Sequence, residues 1–297
     1  MVAGVVKTGR LSERRACELV GQPRATQRYE VKEPQRDANL AKELREFSRR
    51  RPRAGYRMAT GALRLKGWDI NPKRVLRVWR QEGLKVPRKK RGKRRRGSTS
   101  EGSQLLRASY PDQVWSYDFV FDETEGGRRL KWLPICDEFT REVVALEVER
   151  HMTAQDVIRI LDKAVEERGR APEYIRSDNG PEFIATAVVD WVTERGFKTL
   201  FIEPGSPWQN CYSESFNSRF RDEFLNLELF GTLLEAKVLG GEFRADYNHE
   251  RTHSSLGYLP PAEYAASCRE AAIATLKPPL GSIYPQKKPN KNQAEPS

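Results

Sequence analysis

A chain of 297 residues with 38% hydrophobic and 32% charged side chains has the length for two or three modest domains and the composition of a folded, soluble protein. No apolar run approaches the roughly 18 residues of a membrane span, and the N-terminal stretch MVAGVVKTGRLSERRACEL lacks the apolar core of a secretory signal, so a cytoplasmic, bacterial-type cytosolic location is expected, with no membrane partner. The net charge of +12 is unevenly spread: residues 1–107 hold 31 Lys and Arg against 10 Asp and Glu, and residues 108–297 hold 22 against 31. That asymmetry predicts a polyanion-binding module joined to a unit of different function. A basic membrane-surface helix would need a wide apolar face, which this region lacks. Cys17, Cys136, Cys211 and Cys268 are widely separated and read as reduced thiols, and three histidines leave little material for a structural zinc site.

In chain order, Ser12 is placed to cap a helix through Val20 that Gly21 ends, and Pro23 opens a second toward Tyr29; residues 1–35 read as a helical segment. Residues 39–51 predict a basic helix with Leu40, Leu44 and Phe47 as its apolar stripe. A helix from Tyr56 to Lys66 then stops at Gly67, and Asn71 caps another that begins at Pro72 and ends before Gly83. Val75, Leu76, Val78 and Trp79 are its expected core stripe, while Lys73, Arg74, Arg77 and Arg80 cover the remaining surface. Helix, short glycine-containing turn and basic helix over 36–86 are a helix-turn-helix pattern, which makes those four side chains candidate DNA contacts.

The run KVPRKKRGKRRRG cannot pack into a core. Residues 87–107 are therefore expected to form a basic flexible linker whose Arg88, Lys89, Lys90, Arg91, Lys93, Arg94, Arg95 and Arg96 lie along DNA phosphates. From residue 108 the pattern changes to strands and helices. Strands are expected over 114–121, 131–139 and 143–149, a Thr153-capped helix over 154–168 with Val157, Ile158, Leu161 and Val165 inward, and a strand ending in SDNG. A helix over about 182–195, a strand over 198–203 and a long helix over about 208–226 come next. This βββαβαβα order predicts an α/β core, a mixed sheet covered by helices, behind an all-α DNA-binding region. The core is expected over 108–230, its C-terminal helical part over 231–275, and a disordered tail over 276–297.

Three carboxylates stand out. In VWSYDFVF the aromatic residues Trp115, Tyr117, Phe119 and Phe121 alternate onto one face, leaving Asp118 mid-strand on the other with Ser116 and Val120; an aspartate there needs solvent, a partner or a metal. Asp178 comes at the end of a strand, where α/β sheets place ligands, although Asp-Asn-Gly is also ordinary turn chemistry. On the long helix, Tyr212, Phe216, Phe220, Glu223 and Leu227 share an arc of about 80°, and Glu214 points the other way with Asn217, Ser218 and Arg221. Each carboxylate alone fits a bland surface role. Together they supply hard oxygen ligands suited to Mg²⁺ or Mn²⁺, two ions of which serve phosphoryl transfer.

Asp118 in WSYDF, Asp178 in SDNGPEF and Glu214 in WQNCYSESFNSRFRDEFLN resemble the DDE signature of insertion-sequence-three transposases of the OrfB type, whose core is shared with retroviral integrases. Thirty-five residues separate Asp178 from Glu214, as that signature requires, and Arg221 matches its basic residue seven positions after the glutamate. YNHERTHSSLGYLPPAEY resembles the closing motif of the same core, and residues 55–84 the second helix-turn-helix; the likeness covers about 10–270. Cys211 stands where the pattern has a small residue. The upstream helix-turn-helix and leucine zipper of the frameshifted product, and the retroviral His-His-Cys-Cys module, have no counterpart here.

The resemblance implies an RNase H-like core with five strands. It further implies metal-dependent cleavage at terminal inverted repeats and then strand transfer, with Asp118, Asp178 and Glu214 catalytic and metal-binding and Arg221 on DNA phosphate. Partners would be double-stranded DNA, at element ends and target, and a second copy of the chain, since two ends must be cut. His249 and His253, four apart, read as structural or phosphate-facing parts of the closing motif. A nuclease without strand transfer, or a non-catalytic DNA-binding regulator, are the alternatives; only the second must treat the carboxylate spacing as accidental.

Overall fold

The computed structural model describes residues 11–29, 37–86, 106–177, 186–201 and 211–276, so the expected basic linker at Arg88 to Arg96, the tail beyond Leu276, and Asp178 lie outside the described residues. The chain divides into two compact units: one comprises Met1–Thr60 with Asp69–Arg88, the other Gly61–Trp68 with Lys89–Ser297.

In the first unit, α1 (Glu13–Val20) begins where the Ser12 hydroxyl accepts the Arg15 N–H and ends at Gly21, which takes the left-handed conformation at φ 66°. The short α2 (Arg24–Gln27) starts after Pro23. Helix α3 (Ala38–Arg50) buries Leu40, Ala41, Leu44 and Phe47. Helix α4 (Tyr56–Leu65) begins in this unit, and its residues from Gly61 onward are assigned to the second. Helix α5 (Pro72–Gln81) starts at Asn71, whose side chain accepts the Lys73 N–H at 2.8 Å. Val75, Val78 and Trp79 are its buried face, and Trp79 meets Phe47 edge-on with ring centroids 6.5 Å apart. Leu76, expected in that stripe, is only half-buried. Arg74 and Arg77 are not spread over open surface. They grip the two oxygens of the buried Asp37 at 2.8 and 2.5 Å, tying the start of α3 to α5.

The second unit is built on one mixed sheet. Its strands are β1 (Val114–Tyr117), β2 (Val120–Glu123), β3 (Arg129–Asp137), β4 (Val143–Glu149), β5 (Tyr174–Ser177) and β6 (Lys198–Phe201). The strand expected over 114–121 is interrupted at Asp118 and Phe119. Both halves nevertheless pair antiparallel with β3 in one unbroken register, from Trp115↔Asp137 through Tyr117↔Ile135 to Val120↔Trp132. That register sets Asp118 opposite Pro134, which has no N–H to give to a ladder. The six segments therefore occupy five ranks, β4, β3, β1 with β2, β5 and β6, with β5 and β6 parallel to their neighbours.

Parallel neighbours need crossovers. Helix α6 (Ala154–Arg168) leads from β4 to β5 and α7 (Thr186–Glu194) from β5 to β6. Thr153 and Asp156 form a reciprocal capping box at the start of α6, whose buried face is Val157, Ile160, Leu161 and Ala164; Ile158 and Val165 flank it. Trp115, Tyr117, Leu133 and Ile135 pack on these two helices. The opposite sheet face carries Val120, Leu130, Trp132, Val143 and Leu146, covered by α8 (Cys211–Phe220), a π-helical turn (Arg221–Leu225) and α9 (Leu233–His249). Helix α9 lies so close that a Cβ on Gly240 would sit 2.6 Å from the Trp132 ring. A short 3₁₀ turn (Ser254–Leu256) and α10 (Pro261–Leu276) complete the described chain.

Candidate active site

Asp118 comes directly after the last residue of β1, at the break in the strand rather than within it. Its side chain shares a sheet face with Ser116 and Val120, because Trp115 and Tyr117 belong to the core under α6 and α7 while Val120 belongs to the core under α8 and α9. The inward and outward alternation expected from the sequence is therefore present. The half-buried carboxylate faces α8, where Asn217 Nδ2 donates to Asp118 Oδ2 at 3.0 Å. The other amide atom, Asn217 Oδ1, is buried with no hydrogen-bond partner among the described residues.

Glu214 sits in the first turn of α8 and is exposed. Asn217 is three residues on, and positions three, four and seven apart share a helix face. The bond from Asn217 to Asp118 therefore turns the Glu214 side of α8 toward the carboxylate at the end of β1. Arg221, at the next repeat, opens the π-helical turn and donates Nη1 to the Phe121 carbonyl of β2 at 3.3 Å. It faces Asp122, whose carboxyl burial pushes up while Arg221 pulls it back down. Asn217 thus joins α8 to Asp118 and Arg221 reaches β2, and Glu214 lies on the same side of α8 as Asn217. Asp178 itself is outside the described residues. The strand before it, β5, lies parallel beside β1 with pairs Val114↔Tyr174 and Ser116↔Arg176, and ends at Ser177.

The far side of α8 departs from expectation. Phe216, Phe220, Phe224 and Leu225 are buried, but Leu227 is 42% exposed and Glu223 turns to Arg251, pairing through both oxygens at 2.6 Å. The π-helical turn widens the helix after Phe220 and rotates the later residues out of the regular 100° progression. Two further groups were not singled out as site residues: Glu138, after β3, and Arg176, on β5, form a buried bidentate pair at 3.0 Å, and Arg176 also donates to the Leu106 carbonyl. An arginine inside the short apolar strand leading to SDNG was the available signal.

Of the candidate DNA contacts in the first unit, Lys73 and Arg80 are exposed, whereas Arg74 and Arg77 hold Asp37. His249 closes α9 and is exposed; His253 lies beyond the helix, buried, with Nδ1 3.0 Å from the Ser255 hydroxyl. Burial and three nearby arginines drive its pKa down to about 3, so it is neutral. Among the described residues no group of three His, Cys, Asp or Glu side chains is placed to hold a metal; the third carboxylate, Asp178, is not among them.

Residues 108–207 and 195–261 match integrase core domain models, and residues 34–92 match an HTH-like domain. A protein of insertion element IS407 from Burkholderia multivorans is 41% identical over 89% of this chain and 94% of its own length. A protein of element IS476 from Xanthomonas euvesicatoria is 40% identical over 87% of this chain and 74% of its own. The chain belongs to the OrfB-type insertion-sequence transposases. It is a polynucleotidyl transferase of DNA transposition. A transposase for element IS904 from Lactococcus lactis is more distant, 25% identical over 73% of this chain and 89% of its own length. Among solved structures, the HTLV-2 integrase catalytic core in complex with magnesium is 17% identical to this transposase over 54% of the chain and 99% of its own, with a TM-score of 0.39.

Proposed function

We propose that this transposase cleaves DNA at terminal inverted repeats and joins the freed 3′ end to target DNA, using Asp118, Asp178 and Glu214. The observation that carries the assignment is the amide of Asn217, which fastens the Asp118 carboxylate to the Glu214 side of α8. Support comes also from β1 and β5, parallel neighbours whose last residues directly precede Asp118 and Asp178. The three carboxylates offer the hard oxygen donors that Mg²⁺ or Mn²⁺ prefer. Asn217 Oδ1, buried beside Asp118 with no partner among the described residues, fits the same chemistry, because a buried acceptor can be met by a water or a cation. Two divalent ions held there would activate the attacking oxygen and stabilise the leaving one.

The protein's own groups bind and orient. Asn217 fixes the rotamer of Asp118, Arg221 contacts phosphate beside the cleaved bond, and Lys73 and Arg80 with the basic run from Arg88 to Arg96 hold the DNA. In this reading residues 1–35 and 36–86 engage DNA ends, 87–107 tether them, 108–230 form the core, and 231–275 complete it. Two ends are processed by at least two copies of the chain.

The test is to incubate the full chain with duplexes carrying the element ends and Mg²⁺, and to map nicks and joints. Asp118→Asn, Asp178→Asn and Glu214→Gln are each expected to lose both products while still binding the duplex. Normal cleavage by Asp178→Asn would overturn the triad. Nicks without joints would assign a hydrolytic nuclease instead.

A further inference from the structure

A cavity of about 260 Å³ lies between the turn after β3, the loop at His253 and one side of α8. On α8 it is lined by Tyr212, Ser215, Phe216 and Arg219, which recur at helical spacing. Glu214, Asn217 and Arg221 fall on the opposite side of the same helix, so this cavity is separate from the candidate catalytic edge. Its volume equals that of roughly nine waters, ample for a phosphate group with part of its solvent shell.

Two arginines and two acidic residues line it. Arg141 and Arg219 both line it, and neither makes a salt bridge among the described residues. Arg219 is held by the Ser215 hydroxyl and carbonyl at 2.7 and 3.0 Å, which aim its guanidinium without neutralising it. Arg141 lies over the face of Tyr212, 4.1 Å from the ring centroid. The two carboxylates on the wall make their hydrogen bonds and ion pairs away from Arg219, while Arg141 also attracts Glu138. Asp137 accepts the N–H groups of Asp112, Phe139 and Thr140 and faces Arg168, and Glu138 is paired with Arg176. Arg251, behind the wall, is paired with Glu223. His253 adds a buried, neutral imidazole rather than a third cation.

Arg141 stands at φ +65°, a left-handed position that glycine takes without penalty and a long side chain does not.

We propose that this cavity is a phosphate-binding subsite in which Arg141 and Arg219 clasp one phosphate group, with Tyr212 orienting the first guanidinium. Two fixed guanidiniums converging on one space are the geometry that recognises phosphate oxygens. The phosphate can come from a DNA backbone, a source that rests on the transposase reading, or from free phosphate, which does not.

Two measurements on the full chain, both without divalent metal and so independent of cleavage, separate these. In the first, affinity for a duplex is measured against salt for wild type, Arg141→Gln, Arg219→Gln and the double variant. One shared DNA phosphate predicts that each single variant flattens the log–log slope by about 0.9 and that the double variant flattens it no further. In the second, melting temperature is compared in inorganic phosphate and in chloride at equal ionic strength. A phosphate-dependent rise in wild type, absent from Arg219→Gln, supports the subsite with free phosphate as its ligand; the slope change supports it with DNA. Arg141→Gly, which relieves the backbone strain, must lose the same response while keeping a near wild-type melting temperature. Unchanged slopes together with no phosphate-dependent rise in wild type overturn the proposal.

Discussion

The buried pair of Arg176 and Glu138 offers a sharp test of what holds the ends of β3 and β5 together. Arg176 is 3% exposed and Glu138 0%, with both carboxylate oxygens 3.0 Å from one guanidinium nitrogen. At that distance and an effective dielectric of 20 the attraction is about 5–6 kcal/mol. Removing two such ions from water costs several kcal/mol each, so the pair is close to neutral overall. Deleting one partner is different, because it strands the other charge. Arg176→Met is expected to cost about 3–5 kcal/mol, and Arg176→Met with Glu138→Met to return to within about 1–2 kcal/mol of wild type. For a domain of this size the single variant should melt about 6–20 °C lower.

Acid should rescue that variant. Burial already raises the Glu138 carboxyl from its ordinary 4.5 to about 7, with Arg176 pulling the other way. A raised carboxyl pKa means that the folded chain holds the proton more tightly than the unfolded one. Stability attributable to Glu138 therefore falls as pH rises from about 4.5 through 7, and more steeply once Arg176 is gone. Urea unfolding monitored by circular dichroism at pH 5 and pH 8 measures both effects. A double variant as unstable as the worse single one, or an Arg176→Met penalty that does not shrink at pH 5, would refute the reasoning.

Arg221→Ala should leave the melting temperature nearly unchanged, since the residue is exposed, yet weaken cleavage and joining; equal product yields in a gel assay would remove it from the DNA contacts. Deleting residues 1–107 takes away a net charge of +21 and should nearly abolish binding to terminal duplexes and flatten the salt dependence, as a filter-binding titration would show. A 108–297 fragment binding as tightly as the full chain would defeat that division of labour. Gly240→Ala forces a methyl to within 2.6 Å of a Trp132 ring already boxed by Phe220, Phe224 and Phe230, and should cost about 1–3 kcal/mol in thermal unfolding. An unchanged melting temperature would show that α9 shifts freely.

The features legible in the sequence were local or periodic. Ser12, Asn71 and Thr153 cap the helices expected of them, because a cap is a bond to a backbone only two or three residues away. The alternation through Trp115, Tyr117 and Val120 placed Asp118 on the correct sheet face. The features that were not legible depend on distant partners. The break in the strand at Asp118 coincides with Pro134 on the neighbouring strand, and the Asp118–Asn217 bond spans 99 positions. Arg74 and Arg77 looked like free surface cations because their partner, Asp37, lies 37 and 40 residues earlier.

The π-helical turn shows how one helix serves two faces at once. In a regular α-helix a step of four residues overshoots a full turn by 40°, so Phe216, Phe220 and a residue four further on would drift steadily around the axis. The aromatic core does not allow that drift: Trp132 meets Phe220 and Phe224 at centroid distances of 5.3 and 5.8 Å, and Phe220 stacks on Phe224 at 5.4 Å. Widening the turn at Arg221–Leu225 cancels part of the overshoot and keeps Phe224 and Leu225 on the sheet. Because the widening begins only at Arg221, the regular spacing from Glu214 through Asn217 is untouched, and that spacing aligns the helix with Asp118. The same irregularity that defeats a 100° projection at Glu223 and Leu227 therefore lets the aromatic face stay packed while the polar face keeps its register.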